Sequence, residues 1–237
     1  ASRVVWLDAM PSAIDALVIA NEVLDAMPVH VVRARNDGID EVGVIAGDDG
    51  FAWQTRTAAG ALLEAAQKLP IVPGCTTEIG LAAAAFTRTL AASIKRGAAI
   101  FIDYGFPARE FYHPQRSGGT LMCHYRHHAH ADPLCLVGLQ DITAHVDFSA
   151  IAGAAVDGGC ELLGYTGQAQ FLINCGITDL LSATSAEDTE KYLPLAAEAQ
   201  KLTSPAEMGE LFKVIAYGRG LDFPLAGFAR GDRGYSL

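Results

Sequence analysis

The 237-residue sequence contains no glycine-rich phosphate loop: neither GxGxxG after a strand nor GxxxxGK[ST] occurs. The direct signals for a nucleotide cradle are therefore missing. HExxH and CxxC are absent too, which removes the common zinc patterns. Cysteine is sparse, with five at 75, 123, 135, 160 and 175. An odd, unpatterned set argues against a disulfide framework and for reduced thiols in a cytosolic or organelle-matrix compartment. Positive charge is scarce as well: 17 Lys and Arg stand against 27 Asp and Glu, a net charge of −10. Gripping a nucleic-acid backbone needs clustered basic residues, so no nucleic-acid partner is expected. No apolar run approaches the roughly 20 residues that span a bilayer, so no membrane partner is expected either. The opening ASRVVWLD lacks the charged-then-apolar pattern of a signal peptide. It starts on Ala1 and runs straight into a strand-like stretch, which reads as part of something longer. Internal repeats and low-complexity segments are lacking. What remains is 51% hydrophobic and 19% charged with a mean hydropathy of +0.23, enough to bury the core of one large domain or two small ones.

The apolar runs suggest an α/β sheet. Arg3–Leu7, Ala16–Ala20 and Ala98–Asp103 are short, β-rich and apolar on both faces, as strands of a mostly parallel sheet are. Between them, Val29–Arg35 and Glu41–Thr55 alternate apolar and polar residues around turn signals at 36–38 and 47–50, which reads as antiparallel hairpins. Ala58–Leu69 is helical in pattern. Thr76-Thr77-Glu78 reads as the start of a helix to about Arg96, with Gly97 as its C-terminal cap. Further on, Phe148–Val156 reads as a helix and Cys160–Tyr165 as a strand. Helices follow at 168–176, 178–181 and 187–202, and Leu211–Ala216 and Ala226–Phe228 are the last strand candidates. The division expected is a core at 1–28, an inserted hairpin and helical subdomain at 29–75, and the core again at 76–237 with a substrate-side loop at 105–147.

Chemistry belongs at the carboxyl ends of such strands. The run NEVLDAMP leaves the second strand there, and a helical turn would put Glu22 and Asp25 on one face. Two acids so placed suit a cationic group or a base; the alternative is a cap and a solvated turn. Asp103 and Tyr104 end the central strand, either on a ligand or in a turn. The histidine-rich HYRHHAH has no settled metal-ligand spacing and reads as an exposed loop, with no metal bound. In QDITAHVDF, Thr143 or Asp147 is placed to cap the following helix. His145 then lies beside that helix N-terminus, where a neutral imidazole suited to accept a proton is favoured. Tyr165, Thr166 and Gln168 leave another strand through a glycine-bounded turn towards the same edge.

Taken in order, NEVLDAMPV, RGAAIFIDYG, the RxGGTLMCHYRH region, DPL–GLQDITAHVDF, GYTGQAQFL and MGELFKVIAYGRG resemble the MidA-like family of class I S-adenosylmethionine-dependent methyltransferases. That group includes the mitochondrial complex I assembly arginine methyltransferase. The resemblance implies a Rossmann-like sheet, mostly parallel with antiparallel final strands, carrying an inserted subdomain. It makes Arg3–Leu7 the third strand, Ala16–Ala20 the fourth and Ala98–Asp103 the fifth. The family's glycine-rich cofactor loop would precede residue 1. S-adenosylmethionine is the implied cofactor, with Asp8 near its adenine end and Asn21 also on the cofactor side. Glu22, Asp25 and His145 are the implied catalytic set. Asp103, Tyr104, Gln140, Asp141, Thr143, Asp147 and Tyr165 are the implied substrate side. The implied partner is a protein with an arginine acceptor, in a bacterial cytoplasm or a mitochondrial matrix, and a second copy of the chain is a further candidate. The contrasting reading is a non-catalytic assembly protein whose acidic edge docks a basic partner; a metal-dependent hydrolase built on the histidines is a distant third.

Overall fold

The structure, a computed structural model, describes residues 3–48, 50–126 and 128–237. Along the chain, β1 (Ile14–Asn21) leads into β2 (His30–Ala34), β3 (Ile39–Gly47), β4 (Gly50–Thr57), α1 (Gly60–Ala66), β5 (Thr76–Ile79) and α2 (Leu81–Ser93). The long β6 (Ile94–Phe106) and one-turn α3 (Ala108–Phe111) come next. They are followed by β7 (Met122–Tyr125), β8 (His128–His130), β9 (Asp141–Thr143), β10 (Val146–Asp147) and α4 (Phe148–Asp157). The chain continues through β11 (Glu161–Gly167), α5 (Gln168–Asn174), α6 (Ile177–Ser182), α7 (Thr189–Thr203), α8 (Met208–Leu211) and β12 (Phe212–Arg219).

The main sheet runs β1-β6-β12-β11. β1 is parallel to β6, whereas β12 is antiparallel to both β6 and β11. The short β10 pairs in parallel with the end of β6, Val146 against Gly105. Both faces are covered, which accounts for the continuous apolar reading of β6 and β12. On one face Leu90, Ala91, Ile151 and Ala155 of α2 and α4 pack on Phe101, Ile215 and Tyr217. The Phe101 and Tyr217 rings stack at 5.8 Å. On the other face Phe228, Leu225 and Phe171 cover Val214 and Ala216. This is the α/β sheet with antiparallel final strands that the resemblance implied. A second sheet, β4-β3-β2-β5, folds on α1, and a third, β8-β7-β9, stands over the carboxyl edge of the main sheet.

Four sequence expectations are corrected. Arg3–Leu7 forms no strand; Val4, Val5, Trp6 and Leu7 are exposed. A β-rich composition does not by itself make a strand, because strand preference expresses packing on a half-buried sheet surface, and this run is exposed. Thr76–Glu78 opens no helix: it is the body of β5 and pairs with β2, and α2 starts only after Gly80. The helix therefore ends at Ser93, and Gly97 is no cap but a residue of β6 with φ 128°. A Cβ there would lie 2.0 Å from the Ala16 carbonyl oxygen, so the close β1–β6 approach requires glycine. Ala226–Phe228 is a 3-10 turn, because Gly227 lies tight against the Phe171 ring rather than in a ladder.

The histidine-rich run is a hairpin, with Cys123 opposite His130 and Tyr125 opposite His128; His127 of that run, like Asp49 in the other expected turn, lies outside the described residues. No helix among the described residues is long and apolar enough to cross a membrane.

Candidate active site

Three segments converge at the carboxyl edge of the main sheet. The first is the turn after β1. Glu22 has φ 50° and its N–H donates to the Ile102 carbonyl at 2.9 Å. A residue with a Cβ adopts this left-handed conformation rarely and at some cost, and such strain gathers at functional sites. The turn leaves the Asn21 and Glu22 side chains exposed, with Asn21 Nδ2 donating to Glu22 Oε1 at 3.2 Å.

The second segment is the end of β6. Asp103 is wholly buried, and its carboxylate ties the β1 turn down. Its Oδ2 accepts the Val23 and Leu24 N–H groups at 3.2 and 2.9 Å, and Oδ1 accepts that of Tyr104 at 3.1 Å. Burial, with the nearby Asp25 carboxyl, outweighs these donors and pushes the Asp103 carboxyl up to about 7. Asp25 is itself 3% exposed. Its Oδ2 accepts a short hydrogen bond from the Tyr104 hydroxyl, while its buried Oδ1 has no partner among the described residues. Burial and that bond to Asp25 raise the Tyr104 phenol above its ordinary range.

The third segment carries His145. Its ring stands edge-on to Tyr104 at 5.4 Å and tilts against Phe106 at 5.3 Å. Its Nδ1 is buried with no partner among the described residues. The imidazole is pushed down to about 4, first by burial, then by the charges of Arg116 and Lys213. Both cations face the same ring, with Arg116 3.8 Å and Lys213 5.9 Å from the Phe106 centroid. His145 is thus neutral at neutral pH, as its sequence context suggested, but the cause differs from the helix N-terminus invoked there.

A chain of bonds fixes this segment. The Ala144 N–H donates to the Asp25 carbonyl at 3.0 Å, and the His145 N–H donates to Thr120 Oγ1 at 3.0 Å. The Thr120 hydroxyl in turn donates to Glu78 Oε2 at 2.9 Å. Glu78 is 2% exposed, and burial raises its carboxyl. Gly119, at φ 79°, lets the loop approach, since a Cβ there would come within 2.2 Å of Glu78 Oε1.

Of the residues singled out in the sequence, Glu22, Asp25, Asp103, Tyr104 and His145 gather here, with Asn21 beside them. Thr143 is buried nearby, its hydroxyl on the Met122 carbonyl at 3.4 Å. Asp147 is the N-cap of α4, accepting from the Ser149 and Ala150 N–H groups, and it also takes the Tyr112 hydroxyl. Gln140 Nε2 donates to the Pro133 carbonyl at 3.1 Å, and Asp141 opens β9 exposed. Two residues stand apart. Asp8 lies in exposed coil, with no hydrogen bond to the group, and Tyr165 is a core residue, 1% exposed and 5.3 Å from the Phe148 ring. Sequence reasoning missed Glu78, Thr120, Arg116 and Lys213. The Gly118-Gly119 pair was the available signal for the first two, since paired glycines mark a close approach.

A family model described as "Putative S-adenosyl-L-methionine-dependent methyltransferase" matches residues 1–166. The chain belongs to this MidA-like methyltransferase family. Two crystal structures from Burkholderia thailandensis are 54% identical to this MidA-like chain at TM-score 0.95, covering 99% of it. One is described as a "likely methyl transferase" bound to S-adenosyl-homocysteine, and the chain spans 61% of that protein. The Drosophila melanogaster protein arginine methyltransferase NDUFAF7 homolog, mitochondrial, is 28% identical over 233 residues, covering 90% of the chain and 51% of the relative. Its Danio rerio counterpart is 28% identical over 211 residues, covering 85% and 47%. The chain thus spans about half the length of the curated relatives it matches.

Proposed function

We propose that the protein to which this chain belongs transfers the methyl group of S-adenosylmethionine to a protein arginine, and that the Asp25–Tyr104–Asp103 group with His145 is its acceptor site. The observation that carries the reading is the pair of buried carboxyls beside a neutral imidazole, all on the strand edge where open α/β sheets bind ligands. Family membership and the S-adenosyl-homocysteine bound to a 54%-identical structure support the cofactor. The arginine acceptor rests on the names of relatives at 28% identity and on the acidic chemistry of the edge.

The residues present suit the cofactor. Asn21 offers an exposed amide at the end of β1, matching the polar groups of the cofactor's amino-acid end. When bound, S-adenosylmethionine supplies an activated methyl group. The chain's own residues then do four things. Glu22 and the buried, unpartnered Oδ1 of Asp25 hold a guanidinium, whose flat fork pairs well with carboxylates. The Tyr104 hydroxyl fixes Asp25 through Oδ2. Leu24 and Phe106 wall the edge from water. His145 Nδ1 takes the proton that the guanidinium must release as it gains a methyl, a role open to it because it is neutral.

The test is Glu22→Gln in the whole protein. Methyl transfer should fall by about a hundredfold or more, the scale of a lost charged contact at a reacting centre. S-adenosyl-homocysteine binding by calorimetry should stay within a few-fold. Undiminished transfer by this variant would remove Glu22 from the site.

A further inference from the structure

The second and third sheets face each other across a groove that runs outward from the acceptor site. Val42, Val44 and Trp53 form one wall, on a single face of the β3–β4 hairpin, with Val44 paired to Trp53. Leu121, Pro133 and Ile142 form the other wall. The groove encloses about 400 Å³. It continues past Trp53 and Leu121 through a further stretch of about 370 Å³ that reaches Gly118. Apolar residues are left in the open along it: Trp53 is 45% exposed, Val44 48% and Ile142 41%. At its inner end lies Asp25, 3% exposed, with the unpartnered Oδ1. Glu41 lines the same half. Glu41 is paired with Arg56 at 2.6 Å and His30 at 3.0 Å, and the far half holds Arg33 and the buried Glu78, which Thr120 satisfies, so the carboxylate oxygen left unpartnered among the described residues is at the Asp25 end.

We infer that this groove receives an extended, basic segment of a protein substrate and leads its cationic side chain to Asp25. The inference rests on the acceptor reading above and adds where the rest of the substrate lies. The shape fits an extended chain: a narrow trough between two sheets, longer than one side chain, open to solvent along its length. The walls fit the methylene stems of arginine or lysine. Trp53 offers an indole face to a cation, the best of the aromatic platforms. The carboxyl at the inner end selects positive charge, and the chain's net charge of −10 draws a basic segment in from a distance. A free amino acid would fill only the Asp25 end and leave Trp53 untouched.

The test uses the whole protein and two fluorescein-labelled peptides, Gly-Gly-Arg-Gly-Gly-Arg-Gly-Gly and the same peptide with Glu for Arg. The arginine peptide should bind and the glutamate peptide should not. Trp53→Ala should weaken the arginine peptide by about tenfold or more, as the loss of an aromatic anchor does. Val44→Lys should weaken it, and Val44→Glu should not, although both place a charged side chain at the same exposed position. All three variants should bind S-adenosyl-homocysteine like the parent, which establishes that they are folded. Equal binding of both peptides, no binding of either, or unchanged affinity in Trp53→Ala and Val44→Lys would each overturn the inference. Methyl transfer to arginine with unchanged KM in these variants would also overturn it, leaving the acceptor reading in place. The converse is peptide binding that responds to the variants without transfer to arginine. That result would keep the groove and remove arginine as the acceptor.

Discussion

Asp103 and His145 are perturbed in opposite directions, and the consequences are measurable. Asp103 is raised from 3.8 to about 7, and His145 is lowered from 6.5 to about 4. A carboxyl with a raised folded value adds stability below its unfolded value and loses it as pH climbs through about 7. An imidazole with a lowered folded value does the reverse: its contribution is present above 6.5 and lost as pH falls through about 4. The two terms oppose each other across the same window, each on the order of a few kcal/mol. Removing one should expose the other. Asp103→Asn should give a stability that rises from pH 4 to pH 6.5, and His145→Gln one that falls from pH 4 to pH 7, both read by urea unfolding. Parallel profiles in the two variants would contradict the opposed shifts. Activity should follow Asp103, with transfer rising through about pH 7 as the carboxyl ionises. At this scale much was legible in the sequence. Glu22, Asp25, Asp103 and His145 were identifiable because each sits just past an apolar run or in a polar word before one. Arg116 and Lys213 were not, because their charges reach His145 across the fold, a proximity that no spacing encodes.

At the scale of elements, the site depends on the pairing of β10 with β6. A Cβ at Gly105 would lie 2.0 Å from the Val146 carbonyl oxygen, so this short ladder exists only because residue 105 is glycine. Gly105→Ala should push Val146 outward and carry His145 with it. Stability should drop by about 1–3 kcal/mol, the range of forced overpacking, and transfer should fall as well. Gly153→Ala is the matched control. A Cβ on this α4 glycine meets nothing within 4 Å, so the substitution should stabilise by about 0.5–1 kcal/mol. Thermal melts of the two variants, with transfer rates, decide the point; a silent Gly105→Ala would show that β10 is not held by this approach. The elements most readable in sequence were those whose burial decides them, such as β1, β6, α4 and β12. The misreadings at Thr76–Glu78 and Gly97 share one cause. Pairing across sequence distance, to β2 in one case and β1 in the other, overrode local helix signals. The third sheet was not foreseen because its strands are only three or four residues long and carry no clear alternation.

At the scale of the molecule, three sheets and one acidic edge form a single arrangement. The main sheet supplies Asp103 and Tyr104 and leads into the turn that carries Asp25. The third sheet delivers the run that ends in His145. The second sheet holds Glu78, which sets the His145 backbone through Thr120, and Trp53, which walls the groove. β1 is the last strand of the main sheet among the described residues, and Leu17 and Ile19 on it are exposed. The carboxyl pair is proposed as an arginine acceptor site, and the residue that receives the methyl group tests that claim. The experiment uses the whole protein, radiolabelled S-adenosylmethionine and an arginine-containing protein substrate, followed by acid hydrolysis and amino-acid analysis of the label. The parent should yield methylarginine. Asp25→Asn should yield about a hundredfold less or lower, with S-adenosyl-homocysteine binding retained. Label on another residue type, or methylarginine at the parent's rate from Asp25→Asn, would contradict the claim.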